Sequence, residues 1–323
     1  MAESVSATSN RPYALVVHGG AGGHHWNMSD AKEMGFRAGL RAAFDAGEAV
    51  LAGGGSALDA ACAAVVVLEE DPLFNSGYGA SLTSAGTVEH DACVMTGDGH
   101  GGAVALSRRV RNPILLARAI IGTPEALIAD PDDAYVASLG LELVDNDWFI
   151  TDERRARLAS LQDAGGVGLP APQDATRAKG TDLPAHGSHK HGTVGCVALD
   201  AHGHLAAATS TGGYDNKPPR RVGDTPIFGA GTWAKDGVVA VSCTGRGESF
   251  ILGGVAHQVS ARMEYGHQDA VAAATATIDA EITARGTMGA LIAVTADGRC
   301  VLAWDSPTLL ACWRDGDEVV IRI

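Results

Sequence analysis

Lys190 to Asp200 reads KHGTVGCVALD, and the Gly192-Thr193 step inside it decides how the rest of the chain is read. The run before it, GGVGLPAPQDATRAKGTDLPAHGSHK from Gly165 to Lys190, has few large apolar residues and much Gly, Pro, His and Asp. Such a composition cannot bury enough surface to repay its ordering, so a mobile linker is expected over about 165–192. TVGCVALD has the apolar texture of a buried strand. In mid-chain the Thr193 hydroxyl is a weak nucleophile, since KHGTVG supplies no base. If the Gly192-Thr193 bond were cut, the new α-amine, with a reference pKa of about 7.7 to 8, would lie within reach of the same residue's hydroxyl and accept its proton. One residue would then be nucleophile and base. Gly192, without a Cβ, permits close approach to its carbonyl carbon, and the β-branched Thr193 is stiff at χ1. Read alone, the step is a weak signal that reads first as a linker meeting a strand.

Outward from that seam, strand-like runs dominate the C-terminal part: HLAAATST, DGVVAVSCTG, GALIAVTAD and RCVLAWDS, separated by short polar turns. ESFILGGVAHQVSARMEYG and DAVAAATATIDAEITARG between them read as helices. Toward the N-terminus, YALVVHGG is a buried strand ending in a glycine turn. DAKEMGFRAGLRAAFDAGEAVLAGGG has helical spacing and stops at Gly53–Gly55. Ser56, with Asp59 three residues on, approximates a capping box for SALDAACAAVVVLEE, a helix apolar nearly all round and therefore buried. DPLFNSGYGASLT, Asp71 to Thr83, is a turn-rich connector, and EHDACVMTGDGHGGAVALS two strands about a glycine loop. NPILLARAII, TPEALIADPDDAYVASLG and DERRARLASLQDAG read as helices. The order is mixed α/β with antiparallel meanders and helix pairs, suited to sheets stacked between helices.

Composition narrows the function. The 323 residues are 46% hydrophobic and 19% charged, enough for a substantial core. With 38 acidic against 24 basic residues the formal net charge is -14, which disfavours phosphate-backbone binding, so no nucleic-acid partner is expected. The opening MAESVSATSNRPYALVV has no basic stretch followed by a long apolar segment, and no run approaches the roughly 18 apolar residues of a membrane span. A cytoplasmic enzyme without a membrane partner is expected. The six cysteines, Cys62, Cys93, Cys196, Cys243, Cys300 and Cys312, form no C-x-x-C pair and lie mostly in apolar runs, as reduced packing residues do. His186, His189 and His191 in HGSHKH have no second cluster to complete a metal site, and HGGAGG has no following G-K-[ST].

The segments VVHGGAGG (16–23), GGSALDAACAAVVVLEEDPLFNSGYGASLT (54–83), DACVM (91–95), HGTVGCVALD (191–200), ATSTGG (208–213), RVGDTPIFGAG (221–231) and CTGRGESF (243–250) together resemble the plant-type L-asparaginases, or isoaspartyl aminopeptidases, of the N-terminal-nucleophile hydrolases. They occur in that family's order and span most of the chain. The resemblance implies a single α/β domain, a four-layer αββα sandwich formed by an autoprocessed precursor. The cut would fall between Gly192 and Thr193, giving an α subunit of residues 1–192 and a β subunit of 193–323. It implies release of L-aspartate from L-asparagine and from N-terminal isoaspartyl peptides through a β-aspartyl-enzyme, with no cofactor in the chemical steps and a homodimer of αβ units.

The same resemblance distributes roles. Thr193 is the nucleophile and Thr211 tunes it through a hydrogen bond; Asn75 orients groups near the scissile bond. Thr244 and the Gly245 N–H form the oxyanion hole. Arg221 pairs with the substrate α-carboxylate, Asp224 accepts from its α-ammonium, and Gly247 offers backbone to the amine site. Read without the family, RRVGD is equally a surface ion pair, CTGRG a tight turn, Thr211 a strand-end hydroxyl and Asn75 a turn residue. LEEDPLFNSGY resembles the family's structural sodium loop, whose ligands here would be the carbonyls of Leu68, Glu69, Asp71, Phe74, Ser76 and Tyr78. Two positions depart from the pattern: Arg220 stands where the family shows a glycine in Pro-Gly-Arg-Val-Gly-Asp, and Trp304-Asp305-Ser306 where it shows Phe-Asn-Thr. Both are expected to touch specificity. A glycosylasparaginase, which resembles Asp-Thr at its cut, and an uncleaved, silent homologue acting as a binding protein are the alternatives.

Overall fold

The computed structural model describes residues 1–22, 28–163 and 192–323. The expected linker falls outside these residues except for Gly192, as do His186, His189 and His191.

Thirteen strands are described: β1 Glu3–Thr8, β2 Ala14–Ala21, β3 His90–Thr96, β4 Gly101–Ser107, β5 Leu127–Ala129, β6 Val194–Leu199, β7 Leu205–Thr211, β8 Thr232–Lys235, β9 Val239–Gly245, β10 Gly289–Thr295, β11 Arg299–Asp305, β12 Leu309–Asp315 and β13 Glu318–Arg322. The helices are α1 Asp30–Ala52, α2 Ala57–Glu70, α3 Pro113–Ile120, α4 Asp133–Ser138, α5 Asp152–Asp163, α6 Gly247–Gly253, α7 Val255–Glu264 and α8 Ala270–Ile278. Eight strands form one sheet in the order β13-β12-β2-β6-β7-β3-β4-β5, and five form a second in the order β1-β11-β10-β9-β8. All pairings are antiparallel except β4 with β5.

The continuous apolar character of the central strands follows from burial of both faces. Successive residues of a strand point to opposite sides. Val17 and Cys196 therefore join a core built with Leu40, Phe44, Val65 and Leu116 from α1, α2 and α3, while their neighbours Val16 and Val197 join a second core with Ile292 and Leu302 of the other sheet. On that sheet Leu291 and Ala293 turn the opposite way, to Phe250, Val259 and Ile278 of α6, α7 and α8. A strand that alternated with polar residues would leave one of these cores without its wall.

The helix signals act as read. Ser56 Oγ accepts from the Asp59 N–H at 3.1 Å and donates to the Asp59 carboxylate at 2.8 Å, which starts α2. Gly47 lets α1 close on α2 and β2: a Cβ there would stand 2.9 Å from Leu15 Cδ2 and 3.0 Å from the Ala60 carbonyl. ESFILGGVAHQVSARMEYG is two helices, because Gly254 at φ 55° ends α6 and opens α7. Within TPEALIADPDDAYVASLG only α4 is helical; Leu127–Ala129 pairs with β4 instead, a sheet edge outcompeting a weak local preference. β1, β8 and the β12–β13 hairpin add to the expected strands. All six cysteines are free and buried. Among the described residues no helix is long and apolar enough to cross a membrane.

Candidate active site

Thr193 stands at the entry to β6, and its sheet neighbour β7 and the facing strand β9 bring surrounding groups to it. β7, antiparallel to β6, ends at Thr211. Thr193 Oγ1 donates to Thr211 Oγ1 at 3.2 Å, and both residues are buried, at 7% and 3% exposure. Thr211 Oγ1 also accepts from the Gly213 N–H at 3.0 Å. It thus accepts the Thr193 hydrogen bond from a position fixed by the next turn. From the second sheet, β9 carries Thr244, whose Oγ1 accepts from the Thr193 N–H at 3.4 Å and from the Ala21 N–H at 3.2 Å. With both contacts accepted on oxygen, the Thr244 proton is left to donate.

Gly245 follows at φ 142°, a conformation L side chains rarely adopt, and it faces Gly289 of β10. A Cβ on Gly245 would lie 2.5 Å from Gly289 Cα and 2.6 Å from the Met288 carbonyl. The close approach that the sequence CTGRG allows is therefore realised between two backbones. Gly195 has a comparable reason within β6: a Cβ there would meet Ser242 Oγ at 2.2 Å and His18 Nε2 at 2.4 Å. The space admits a buried polar chain in which His18 Nε2 meets Ser242 Oγ at 2.9 Å, Ser242 meets Thr209 Oγ1 at 2.8 Å, and Thr232 donates to Thr209 at 2.8 Å. Burial holds the His18 pKa down at about 3, so its ring is neutral.

Asn75 is oriented by three contacts: Nδ2 donates to the Gly213 carbonyl at 2.6 Å, Oδ1 accepts from the Ser81 N–H at 2.7 Å, and its own carbonyl accepts from the Gly212 N–H at 2.8 Å. Gly192 packs against it, for a Cβ on Gly192 would be 3.2 Å from Asn75 Cβ. The turn residue that the sequence suggests is thus tied at once to the Gly192-Thr193 step and to the loop after Thr211.

Arg221 and Asp224 flank Gly247. A Cβ on Gly247 would meet Arg221 Nη2 at 2.7 Å and Asp224 Oδ1 at 2.8 Å, so a guanidinium and a carboxylate converge on one bare stretch of backbone. No salt bridge joins the two among the described residues. Arg221 pairs with Glu248, its Nε and Nη2 donating to Oε1 at 3.1 and 3.0 Å, and its guanidinium lies 4.9 Å from the centre of the Tyr214 ring. The surface ion pair suggested by RRVGD alone is therefore not formed. Asp224 Oδ2 is buried without a hydrogen-bond partner among the described residues, and burial raises its pKa to about 7 against the lowering pull of Arg221. A buried carboxyl oxygen without a partner beside a guanidinium is a polar position left open in the site.

These groups line one pocket, formed by Gly192, Thr193, Thr211, Gly213, Tyr214, Arg221, Asp224, Gly245, Arg246, Gly247 and Glu248. Of the positions expected from the sequence, Thr193, Thr211, Arg221, Asp224, Gly245 and Gly247 meet there, while Thr244 reaches Thr193 from behind and Asn75 stands behind Gly213. Arg220 and Trp304-Asp305-Ser306 do not line it. Trp304 is buried in the core between the sheets, under the Arg322 guanidinium at 4.0 Å.

Several contributors escape the sequence. Lys217 is fully buried, donates to the Glu89 carbonyl at 2.6 Å and backs Gly213; burial lowers its pKa to about 8 while Asp91 raises it. Glu89 and Asp91 of the β3 region anchor the loop that bears the clamp, accepting from the Arg220 N–H at 2.7 Å and the Gly223 N–H at 2.9 Å. Asp215, beside Tyr214, is held by Arg154 and Arg157 of α5. No local spacing marks these long-range pairs; the only sequence signal is a polar residue inside an apolar run, as in EHDACVM.

A threonine with a bound hydroxyl partner beside a guanidinium, a carboxylate and bare glycine backbone in one cleft calls for comparison with known chains. A family profile described as asparaginase matches residues 11–321. The chain belongs to the asparaginase family. Family members with 40% identity over 93% of this chain and 94% of their own include an isoaspartyl peptidase of Salmonella typhimurium. An isoaspartyl peptidase of Escherichia coli is 39% identical over 93% of this chain and 92% of its own. An isoaspartyl peptidase/L-asparaginase of Bos taurus is 37% identical over 94% and 93%. Family membership thus agrees with the resemblance carried by the motifs, and the mixed helices and sheets agree with its α/β class.

Proposed function

We propose that the chain is an autocleaving threonine hydrolase that releases L-aspartate from L-asparagine and from the N-terminal isoaspartyl residue of peptides. The observation that carries this reading is the Thr193–Thr211 hydroxyl pair in a pocket shared with Arg221, Asp224 and Gly245, with Thr244 Oγ1 accepting from the Thr193 N–H. In the precursor, Thr193 Oγ1 attacks the Gly192 carbonyl carbon as the Gly192-Thr193 C–N bond breaks, and water hydrolyses the resulting ester. Residues 1–192 become the α subunit and 193–323 the β subunit of a single four-layer αββα domain.

In turnover the freed α-amine takes the Oγ1 proton and Oγ1 bonds to the substrate's β-carbonyl carbon. Thr244 Oγ1–H and the Gly245 N–H stabilise the oxyanion, a donor of this kind being worth about 2.7 to 4 kcal/mol. The C–N bond then breaks, the leaving nitrogen takes the proton held by the α-amine, and ammonia or a peptide departs. Water, deprotonated by the same amine, attacks the β-aspartyl ester; the Oγ1–C bond breaks and Oγ1 regains a proton. Arg221 holds the α-carboxylate, and Asp224 with the Gly247 backbone holds the α-ammonium. No organic cofactor enters these steps.

The connector after α2 suits a structural sodium. Gly77 and Gly79, both left-handed, coil so tightly that Cβ atoms there would stand 2.2 Å from the Glu69 carbonyl oxygen and 2.5 Å from that of Pro72. Phe74 and Ser76 are buried, yet among the described residues their carbonyls accept no hydrogen bond. Hard oxygen donors without a proton to bind fit a hard cation. The carbonyls of Leu68, Glu69, Asp71, Phe74, Ser76 and Tyr78 would hold it, remote from the reaction. The enzyme is proposed to be cytoplasmic and to work as a homodimer of αβ units.

Denaturing electrophoresis tests the reading. Purified protein should resolve into two fragments meeting at residues 192 and 193, whereas Thr193→Ala should stay whole and release no ammonia from asparagine. A whole wild-type chain without activity would make it a silent homologue. Hydrolysis of glycosylasparagine in preference to both asparagine and isoaspartyl peptides would make it a glycosylasparaginase.

A further inference from the structure

Two guanidiniums meet on one carboxylate at the candidate active site. Glu248 Oε1 accepts from Arg221, and Glu248 Oε2 accepts from Arg246 Nε at 3.2 Å. Arg221 is the deeper of the two, its side chain 13% exposed against 26% for Arg246, and both line the pocket. Among the described residues Nη1 and Nη2 of Arg246 have no hydrogen-bond partner, so the end-on fork of its guanidinium is open to a planar anion. One carboxylate serving two arginines leaves a cation uncompensated there. The neighbouring Asp224 forms no salt bridge with either arginine among the described residues.

The inference rests on the reading above and deepens it. With the α-carboxylate of the aspartyl residue on Arg221, asparagine has no further anion to offer. A β-aspartyl dipeptide does: its leaving residue ends in a second carboxylate, separated from the first by one β-peptide link. Arg246 follows Gly245, to whose N–H the reading above assigns the oxyanion, and its own N–H is pinned to the Met288 carbonyl at 3.1 Å. Its side chain therefore starts beside the scissile bond and is held by Glu248 one carboxylate's width from Arg221. Two guanidiniums spaced by a carboxylate face two carboxylates spaced by a β-peptide link.

We infer that Arg246 is a specificity-determining residue that pairs with the free carboxylate of the leaving residue, so that the pocket prefers β-aspartyl dipeptides to substrates with no anion beyond the scissile amide. Arg246 takes part in no bond change, and the pairing is lost when the leaving residue departs.

The test compares β-aspartyl-alanine with its C-terminal amide, which has the same scissile bond and no leaving-side charge. The wild-type ratio of kcat/KM, free acid over amide, is expected at roughly three- to tenfold, the span of a partly exposed to partly buried charge pair, and should shrink as salt is added. Arg246→Gln should bring the ratio close to one, and Arg246→Lys should recover part of it. A wild-type ratio at or below one overturns the inference even if no variant folds. So does an R246Q ratio equal to the wild-type value, since a merely structural arginine would depress both peptides alike. Failure of the wild-type protein to cleave either peptide or asparagine would instead overturn the proposed function, and this inference with it.

Discussion

Thr193 Oγ1 donates to Thr211 Oγ1 across 3.2 Å, and Thr211 Oγ1 is itself held by the Gly213 N–H at 3.0 Å. The hydroxyl that accepts this hydrogen bond is therefore placed by a backbone donor from the next turn. Thr211→Val removes the acceptor and strands that N–H. A hydrogen bond of about 1 kcal/mol net corresponds to roughly a fivefold loss of rate, and the stranded donor costs about 1–3 kcal/mol of stability. Thr211→Ser should restore most of both. Steady-state kcat and thermal unfolding measure the two effects; a valine variant with unchanged kcat would show that Thr211 only packs.

Gly192 packs on Asn75 through a gap that a methyl group would close to 3.2 Å from Asn75 Cβ. Gly192→Ala should slow self-cleavage and Gly192→Val should slow it much further, read as the rate at which fragments appear after purification. Once cut, either enzyme should turn over asparagine at close to the wild-type kcat, because the residue then ends the other subunit. Equal cleavage rates for glycine, alanine and valine would rule out this packing as the control.

Arg220 is exposed and sits at φ 69°. A non-glycine residue in left-handed backbone costs about 1–2 kcal/mol, and glycine returns part of that gain through chain entropy. Arg220→Gly should therefore stabilise the protein by about 0.5–1 kcal/mol, while its N–H keeps the Glu89 carboxylate at 2.7 Å. A rise in Tm is expected, and a fall would mean that the arginine side chain contributes more than its backbone costs.

Asp224 titrates at about 7 when buried in the folded, ligand-free protein and near 4 in the unfolded chain. Between those values the folded state binds the extra proton, so the stability contributed by the protonated carboxyl is fully present below about pH 4 and is lost as pH rises to about 7. Relative to Asp224→Asn, which does not titrate, wild-type stability should fall over that window and then level off. Glu69, raised to about 8 by burial, is common to both proteins and cancels in the difference. Thermal unfolding of the pair from pH 4.5 to 8 measures it; a constant gap would place the Asp224 pKa outside the window.

What the sequence reveals depends on the range of the interaction. Caps, turns and strand runs are local, and Ser56, Gly53 and Thr193–Asp200 act as their spelling suggests. The motif resemblance extends that reach to Thr211, Arg221, Asp224 and Gly245, which lie far apart in the chain and meet in one pocket. Lys217, Glu89 and Glu248 stay hidden because their partners are set by how the clamp loop lies across β3 and α6, which no spacing encodes. Arg220 looks in the sequence like an added charge at the clamp; in the fold its consequence is backbone strain.

The strands on either side of the Gly192-Thr193 step are interlaced. In the larger sheet β2 lies between β12 and β6, and β7 lies between β6 and β3; in the smaller, β1 forms the edge of a sheet otherwise made of β8 to β11. A chain cut at that step would hold together through shared sheets. Once unfolded, it would have to find its partner fragment by collision, turning a unimolecular refolding problem into a concentration-dependent one. Cutting would thus convert reversible unfolding into an event with no easy return, and the working lifetime of the enzyme would be set by how slowly it first comes apart.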